Sequence, residues 1–72
     1  MNNTDKAIEI FKKSIKKYPE GTNLMYNLGN LFYSSKNLRQ AVAMYENCLS
    51  IDPLHIGALN NLAVISIHLK EF

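Results

Sequence analysis

Residues 22–53 read TNLMYNLGNLFYSSKNLRQAVAMYENCLSIDP and predict two helices joined by a short turn at 34–37. Apolar residues recur at helical spacing in both halves, first as Leu24, Met25, Leu28, Leu31 and Phe32, then as Leu38, Ala41, Val42, Tyr45, Cys48 and Leu49. Pro53 prevents the second helix from continuing because proline has no amide hydrogen to donate. Gly29 costs its helix about 1 kcal/mol of propensity, so we expect another helix to approach it closely.

The same pattern returns along the chain at an interval of 34 residues, the distance between Pro19 and Pro53. Offsetting the chain by that interval pairs Ala7 with Ala41, Phe11 with Tyr45, Ile15 with Leu49, Asn27 with Asn61, Leu28 with Leu62, Gly29 with Ala63 and Lys36 with Lys70. A fixed period of this length is typical of an array, in which each unit buries its apolar face only by stacking on a neighbour. The sequence therefore predicts stacked helical hairpins.

Two further helices are predicted beside this hairpin. Residues 3–18 place Ala7, Ile8, Phe11 and Ile15 on one helical face and stop at Pro19. A fourth helix is predicted from near His55, with an inward face of Leu59, Leu62, Ala63 and Ile65 and with Leu69 as a further candidate. The run at 62–67 is rich in β-branched residues, but the period places it in a helix and we predict a helix there.

Length and composition allow one small domain. The chain has 72 residues, of which 47% are hydrophobic, and its formal net charge of +2 leaves nucleic acid open without favouring it. Its single cysteine, Cys48, excludes an internal disulfide and suits the cytoplasm or another reducing intracellular compartment. No apolar run approaches the roughly 18 residues of a membrane span. The start at Met1 has no signal-peptide stretch, so no membrane association is expected.

At these residues the chain resembles the tetratricopeptide repeat family. Residues 22–55 resemble one complete repeat, carried by Met25 in the usual Trp slot, the pair Leu28 and Gly29, then Phe32, Ala41, Tyr45, Cys48 and Pro53. Residues 3–18 resemble a second helix alone, and residues 56–72 resemble a first helix alone. The resemblance implies an all-α fold of antiparallel helix–turn–helix repeats, stacked as a short right-handed α-solenoid in one domain over residues 1–72.

Two positions depart from the family pattern. Lys36 stands where the family commonly has a turn glycine, so the turn is expected to use another geometry. Ser66 stands where an aromatic residue is usual, which leaves the fourth helix poorly equipped to pack a successor in the usual way.

The resemblance also implies a concave groove, lined by the first helix of each repeat, that binds an extended peptide or a partner helix. Carried over to this chain, the groove residues are Asn23, Tyr26, Asn27, Asn30 and Tyr33 on one helix, and Gly57, Asn60, Asn61, Val64, Ile67 and His68 on the next. Asn27 and Asn61 repeat at the array period and predict a ladder of carboxamides, similar to that of peptide-binding members of the family. Each amide offers a donor and an acceptor to a peptide backbone. The alternative is that these asparagines brace neighbouring turns.

Val64 and Ile67 give this groove an apolar part, which suits an amphipathic helix or apolar peptide side chains. The alternative is that a neighbouring chain covers them. A carboxylate clamp is not expected, because Tyr26 and Asn60 stand where its lysine would be sought.

No catalytic residue, metal site or cofactor is predicted. His55 and His68 lie 13 residues apart without nearby cysteine or carboxylate ligands, and the three glycines are isolated rather than grouped in a phosphate-binding loop. Cys48 is expected to fill a tight helix contact. The lysine run Lys12, Lys13, Lys16 and Lys17 is interpreted as a solvated face rather than a nucleic-acid or membrane patch.

The leading functional prediction is therefore a non-enzymatic protein–protein interaction module, acting as a scaffold or adaptor. The recognition arm of a larger enzyme, such as a glycosyltransferase, is the alternative, and a helical-repeat RNA binder ranks last because the groove is neutral. The sequence holds two repeats' worth of helices without polar caps. We therefore expect either part of a longer solenoid or a chain that self-associates through its first and last helices.

Overall fold

A computed structural model describes residues 3–70, and these residues form four helices. The helices are α1 (Asn3–Lys17), α2 (Thr22–Ser34), α3 (Leu38–Ile51) and α4 (Ile56–Lys70). Each is packed on the next, α1 on α2, α2 on α3 and α3 on α4, in a flat body measuring 34 × 32 × 13 Å. No strand occurs between residues 3 and 70, so the predicted all-α solenoid fold is confirmed, including the helix at 62–67.

The core lies mainly between α2 and α3. Its buried side chains are Met25, Leu28, Phe32, Ala41, Tyr45, Cys48, Ala58 and Ile65. The close approach predicted at Gly29 is present, because a Cβ atom there would lie 2.6 Å from Cε1 of Tyr45. The ring of Tyr45 therefore occupies the space that a side chain on α2 would need.

The turn between α2 and α3 corrects one expectation. Lys36 has a positive φ of 66°, so it adopts the left-handed conformation that a glycine would adopt rather than a different geometry. The amide of Lys36 donates to the carbonyl of Tyr33 at 3.0 Å, and the amide of Asn37 donates to the carbonyl of Phe32 at 2.8 Å. These two bonds form a Schellman motif, which satisfies the last carbonyls of α2.

The predicted inward face of α4 is correct only in part. Ile65 is fully buried and Leu62 is half-buried, but Leu59 is 43% exposed, Leu69 is 40% exposed and Ala63 is exposed. Ala58, which was not predicted, is fully buried. The reason is that the described helices cover the side of α4 that carries Ala58 and Ile65, and none of them covers the adjoining side that carries Leu59 and Ala63.

Candidate functional site

Three helices meet at one cluster of polar side chains, with Asn30 from α2, Tyr45 from α3 and Asn61 from α4. The Oη–H of Tyr45 donates to Oδ1 of Asn30 at 2.5 Å. Nδ2 of Asn61 donates to the same Oδ1 at 2.8 Å and to Oη of Tyr45 at 3.2 Å. We call these three residues the polar triad. It fixes the orientation of both carboxamides, since Oδ1 of Asn30 is the shared acceptor.

Tyr45 is the buried member of the polar triad, with no exposed surface. Burial raises the pKa of its phenol above the ordinary value, the hydrogen bond from Asn61 opposes that change, and Tyr26 and Tyr33 nearby add to it. The phenol is therefore held in its neutral form, which keeps its proton available to Asn30.

An aromatic contact joins α2 to the start of α4 beside the polar triad. The ring of Tyr26 lies 6.0 Å from the ring of Tyr45 and 4.9 Å from the imidazole of His55, tilted by about 45° to each. A Cβ atom on Gly57 would lie 2.8 Å from Cε1 of Tyr26, so this glycine lets the ring sit against the backbone of α4. Nδ1 of His55 accepts a hydrogen bond from the amide of Ala58 at 3.1 Å and so caps α4.

The predicted groove residues fall into two groups. Tyr26, Asn30, Tyr33, Gly57 and Asn61 are half-buried, and Asn30 and Asn61 are brought together with Tyr26 close by. The other members are exposed, namely Asn23, Asn27, Asn60, Val64, Ile67 and His68. Of the two apolar members on α4, Val64 is 42% exposed and Ile67 is 61% exposed.

The two asparagines at the array period have different surroundings. Asn61 belongs to the polar triad and ties α4 to α2 and α3, so it braces neighbouring helices rather than neighbouring turns. Asn27 is exposed and makes no hydrogen bond with another residue between 3 and 70. The period gives the reason, because Phe11 stands at the equivalent of Tyr45 and has no hydroxyl to offer. Ligand contact by Asn27 stays a prediction.

Sequence reasoning did not find Tyr45 or His55 as members of this site. One signal was present for Tyr45, since a tyrosine at an inward helical position needs a partner for its hydroxyl. Its partners are two asparagines, Asn30 next to Gly29 on α2 and Asn61 on α4. His55 gave no comparable signal, because a histidine in a turn is compatible with many roles.

The lysines of α1 and the thiol of Cys48 are the other polar groups that bear on function within residues 3–70. Lys12, Lys13, Lys16 and Lys17 are exposed on α1. Cys48 is a free, buried thiol whose pKa is raised by burial and further by the nearby Asp52, so it is not activated as a nucleophile. In the part of the chain that the structure describes, no three His, Cys, Asp or Glu side chains form a metal-binding group. No helix within residues 3–70 has the length and hydropathy to cross a bilayer.

Helical hairpins stacked at a fixed period, with polar and apolar side chains exposed along α2 and α4, define a helical-repeat protein. Two family models, both described as tetratricopeptide repeat, match residues 22–53 and residues 1–21. The chain belongs to the tetratricopeptide repeat family. Repeats of this family are protein–protein interaction modules and are typically non-catalytic.

Two curated proteins are similar to the chain. The BBSome complex member BBS4 of Bos taurus is 38% identical over 55 residues, which is 76% of this chain and 11% of that protein. The protein O-mannosyl-transferase TMTC1 of Mus musculus is 26% identical over 62 residues, which is 86% of this chain and 7% of that protein. The chain thus spans only a small part of the length of either relative.

Proposed function

We propose that this chain is a scaffold or adaptor module that binds an extended peptide or a partner helix along the face formed by α2 and α4. The observation that carries the proposal is the exposure of two apolar side chains of α4 on this face, Ile67 at 61% and Val64 at 42%. The equivalent of Ile67 at the array period is Tyr33, which is half-buried. An apolar side chain of the partner is proposed to lie against Tyr33 and Ile67.

The polar triad is a second observation that supports the same proposal. Nδ2 of Asn30 and Oδ1 of Asn61 make no hydrogen bond with residues 3–70, and no buried side-chain N or O atom in that part of the chain lacks a partner. These two atoms therefore reach water. A donor and an acceptor held in fixed orientation match the carbonyl and amide of a partner's main chain. Asn27, which is exposed on the same helix as Asn30, is proposed to add a third polar contact.

The face carries no strong charge, which defines the partner further. Helix α2 contains no Asp, Glu, Lys or Arg, and His68 is the nearest titratable group on α4 among residues 56–69. Binding is therefore expected to depend weakly on salt, in contrast to capture of a C-terminal carboxylate or of nucleic acid. We propose that the lysines of α1 stay solvated and that the chain works in a reducing compartment, which suits the free thiol of Cys48.

Peptides selected from a random display library on this chain test the proposal. The affinity of a selected peptide, measured by fluorescence anisotropy, is expected to fall at least about tenfold in Ile67→Glu and about threefold or more in Asn27→Ala. Asn47→Ala on the exposed side of α3 is the matched control and should leave affinity unchanged. Equal affinity for all four proteins, or equal loss in Asn47→Ala, would contradict binding on this face.

A second candidate is the recognition arm of a larger enzyme. The observation that favours it is the similarity to an O-mannosyl-transferase over 86% of this chain. Sequencing of the transcript around these codons decides between the two candidates, because a catalytic domain in the same reading frame supports the arm and an array of repeats alone supports the adaptor.

A further inference from the structure

One side of α4 is apolar and open to solvent. It consists of Leu59, Leu62, Ala63 and Ser66, which we call the outer face of α4. Leu59 is 43% exposed, Ala63 and Ser66 are exposed, and Leu62 is half-buried. At the array period these positions correspond to Met25, Leu28, Gly29 and Phe32 of α2, all of which are buried, with Gly29 against Tyr45 of α3. The outer face of α4 therefore has the same position in its repeat as the face of α2 that is buried.

Helix α1 carries the pattern that such a helix needs. The side chains of α3 that are fully buried are Ala41, Tyr45 and Cys48, and their equivalents on α1 are Ala7, Phe11 and Ser14. These three, which we call the inner face of α1, are only half-buried. Both halves of the α2–α3 contact are therefore repeated in the chain, each without its partner among the described residues.

Two positions differ between these faces and the α2–α3 contact, and the two differences are complementary. In the α2–α3 contact the hydroxyl of Tyr45 donates to Asn30. The equivalent of Tyr45 is Phe11 on α1 and the equivalent of Asn30 is Val64 on α4, so an apolar pair stands where the internal contact has a polar pair. In a mixed pair one group would have no partner. A tyrosine hydroxyl opposite Val64 would have no acceptor there, and an asparagine Oδ1 opposite a phenylalanine would receive no hydrogen bond from the ring. Phe11 and Val64 match each other.

The sterics are consistent with the same pairing. Gly29 is in contact with the ring of Tyr45, and its equivalent Ala63 adds a methyl group at that point. Two neighbours on α4 are smaller than their equivalents, since Ser66 stands for Phe32 and Asn60 stands for Tyr26. The aromatic ring of an incoming helix can therefore shift away from the methyl group into the space that they leave.

We propose that the outer face of α4 in one copy of this chain binds the inner face of α1 in a second copy. The contact is head-to-tail and reproduces the α2–α3 contact between molecules. A head-to-tail contact joins two different faces, so it can repeat from copy to copy without a fixed stoichiometry. The proposal does not depend on the binding of a peptide along α2 and α4.

Variants of α1 and α4 test whether α4 of one copy contacts α1 of the next. Sedimentation equilibrium measures their self-association, and circular dichroism verifies that they fold. Leu59→Glu on α4 and Ser14→Glu on α1 are each expected to abolish self-association, and Ala7→Glu repeats the α1 arm with a second residue. The matched controls are Ile67→Glu and Ile10→Glu, on other sides of α4 and α1, and both should assemble as the wild type does. A mixture of Leu59→Glu with Ser14→Glu should form a one-to-one dimer and nothing larger, because one intact contact remains.

The proposal would be overturned if the folded wild-type chain stayed monomeric up to about 1 mM. It would also be overturned if a control variant assembled no better than Leu59→Glu, or if the mixture of Leu59→Glu with Ser14→Glu failed to dimerise. Self-association of Ser14→Glu on its own would instead indicate contact between two copies of α4 and would also reject the proposed pairing.

A double-mutant cycle tests the paired change directly. Phe11→Tyr combined with Val64→Asn should associate about tenfold or more tightly than the two single variants predict together, because the introduced hydroxyl and amide restore the pair seen in the α2–α3 contact. The free energy of unfolding of the monomer should show no such coupling, since α1 and α4 are not packed on each other in one chain. Additive effects on association would reject the contact between Phe11 and Val64.

Discussion

Helices α2 and α4 stand at equivalent positions of the 34-residue period and differ in what covers them. On α2 the residues Met25, Leu28, Gly29 and Phe32 are buried, whereas on α4 the equivalents Leu59, Ala63 and Ser66 are exposed. Both helices have apolar residues at the same spacing. The difference shows that the apolar pattern identifies the side of a helix that can be buried, and that the partner helix decides whether it is.

The comparison extends to α3 and α1, which supply the covering side chains. Tyr45 has no exposed surface and touches α2 on one side and α4 on the other, whereas its equivalent Phe11 is half-buried. The stability of the chain is therefore expected to be concentrated between α2 and α3. Substitutions at equivalent positions of the two repeats test that distribution, one pair of residues at a time.

The largest effect is expected at Tyr45. Tyr45→Ala removes a fully buried ring together with its hydrogen bond to Asn30, and should lower the free energy of unfolding by about 3–5 kcal/mol, enough to unfold so small a chain. Phe11→Ala, its equivalent on α1, should cost about 1–2 kcal/mol because the ring is only partly removed from water. Urea denaturation followed by far-UV circular dichroism measures both. Equal losses would show that α1 is as well packed as α3.

The second largest effect is expected at Gly29. Gly29→Ala places a methyl group 2.6 Å from Cε1 of Tyr45, and should destabilise the chain by about 1–3 kcal/mol although alanine favours a helix. Its equivalent Ala63 is exposed, so Ala63→Leu should change the free energy of unfolding by less than about 0.5 kcal/mol. Thermal unfolding at low protein concentration compares the two. A stabilising Gly29→Ala would mean that the tyrosine ring moves freely.

A smaller effect is expected in the polar triad. Asn61→Ala removes the two hydrogen bonds that tie α4 to Asn30 and Tyr45, and should cost about 1–2 kcal/mol. Asn27→Ala is the matched control at the array period and should cost less than about 0.5 kcal/mol, since its side chain is exposed. The same denaturation experiment separates the bracing asparagine from the free one, and similar losses would indicate that Asn27 has an internal partner.

Much of the fold could be predicted because its causes are local or periodic. The spacing of apolar residues and the proline at Pro53 define the helices, and the interval of 34 residues predicts how they stack. The close approach at Gly29 followed from its helix propensity alone. Each of these signals lies within one helix or one repeat, where sequence spacing and spatial neighbourhood coincide.

The rest depended on which element lies opposite each residue. Asn27 and Asn61 are equivalent in sequence and become different because one faces a phenylalanine and the other a tyrosine. The exposure of Leu59 and Ala63 depends on the absence of a covering helix among the described residues, which a repeat pattern does not specify. The conformation of Lys36 was predicted wrongly. We expected a different turn geometry in the absence of glycine, but Lys36 adopts the left-handed conformation itself.

The smallest expected effect is at Lys36, where the effect of the left-handed backbone can be separated from the effect of the lysine charge. A lysine at φ 66° is strained by its Cβ atom, so Lys36→Gly should raise the free energy of unfolding by about 0.5–1 kcal/mol. Lys36→Ala is the matched control, because it removes the charge and keeps the Cβ atom. If both variants were stabilised equally, the gain would come from the lost charge; a gain in the glycine variant alone, measured by urea denaturation, attributes it to the left-handed backbone that ends α2.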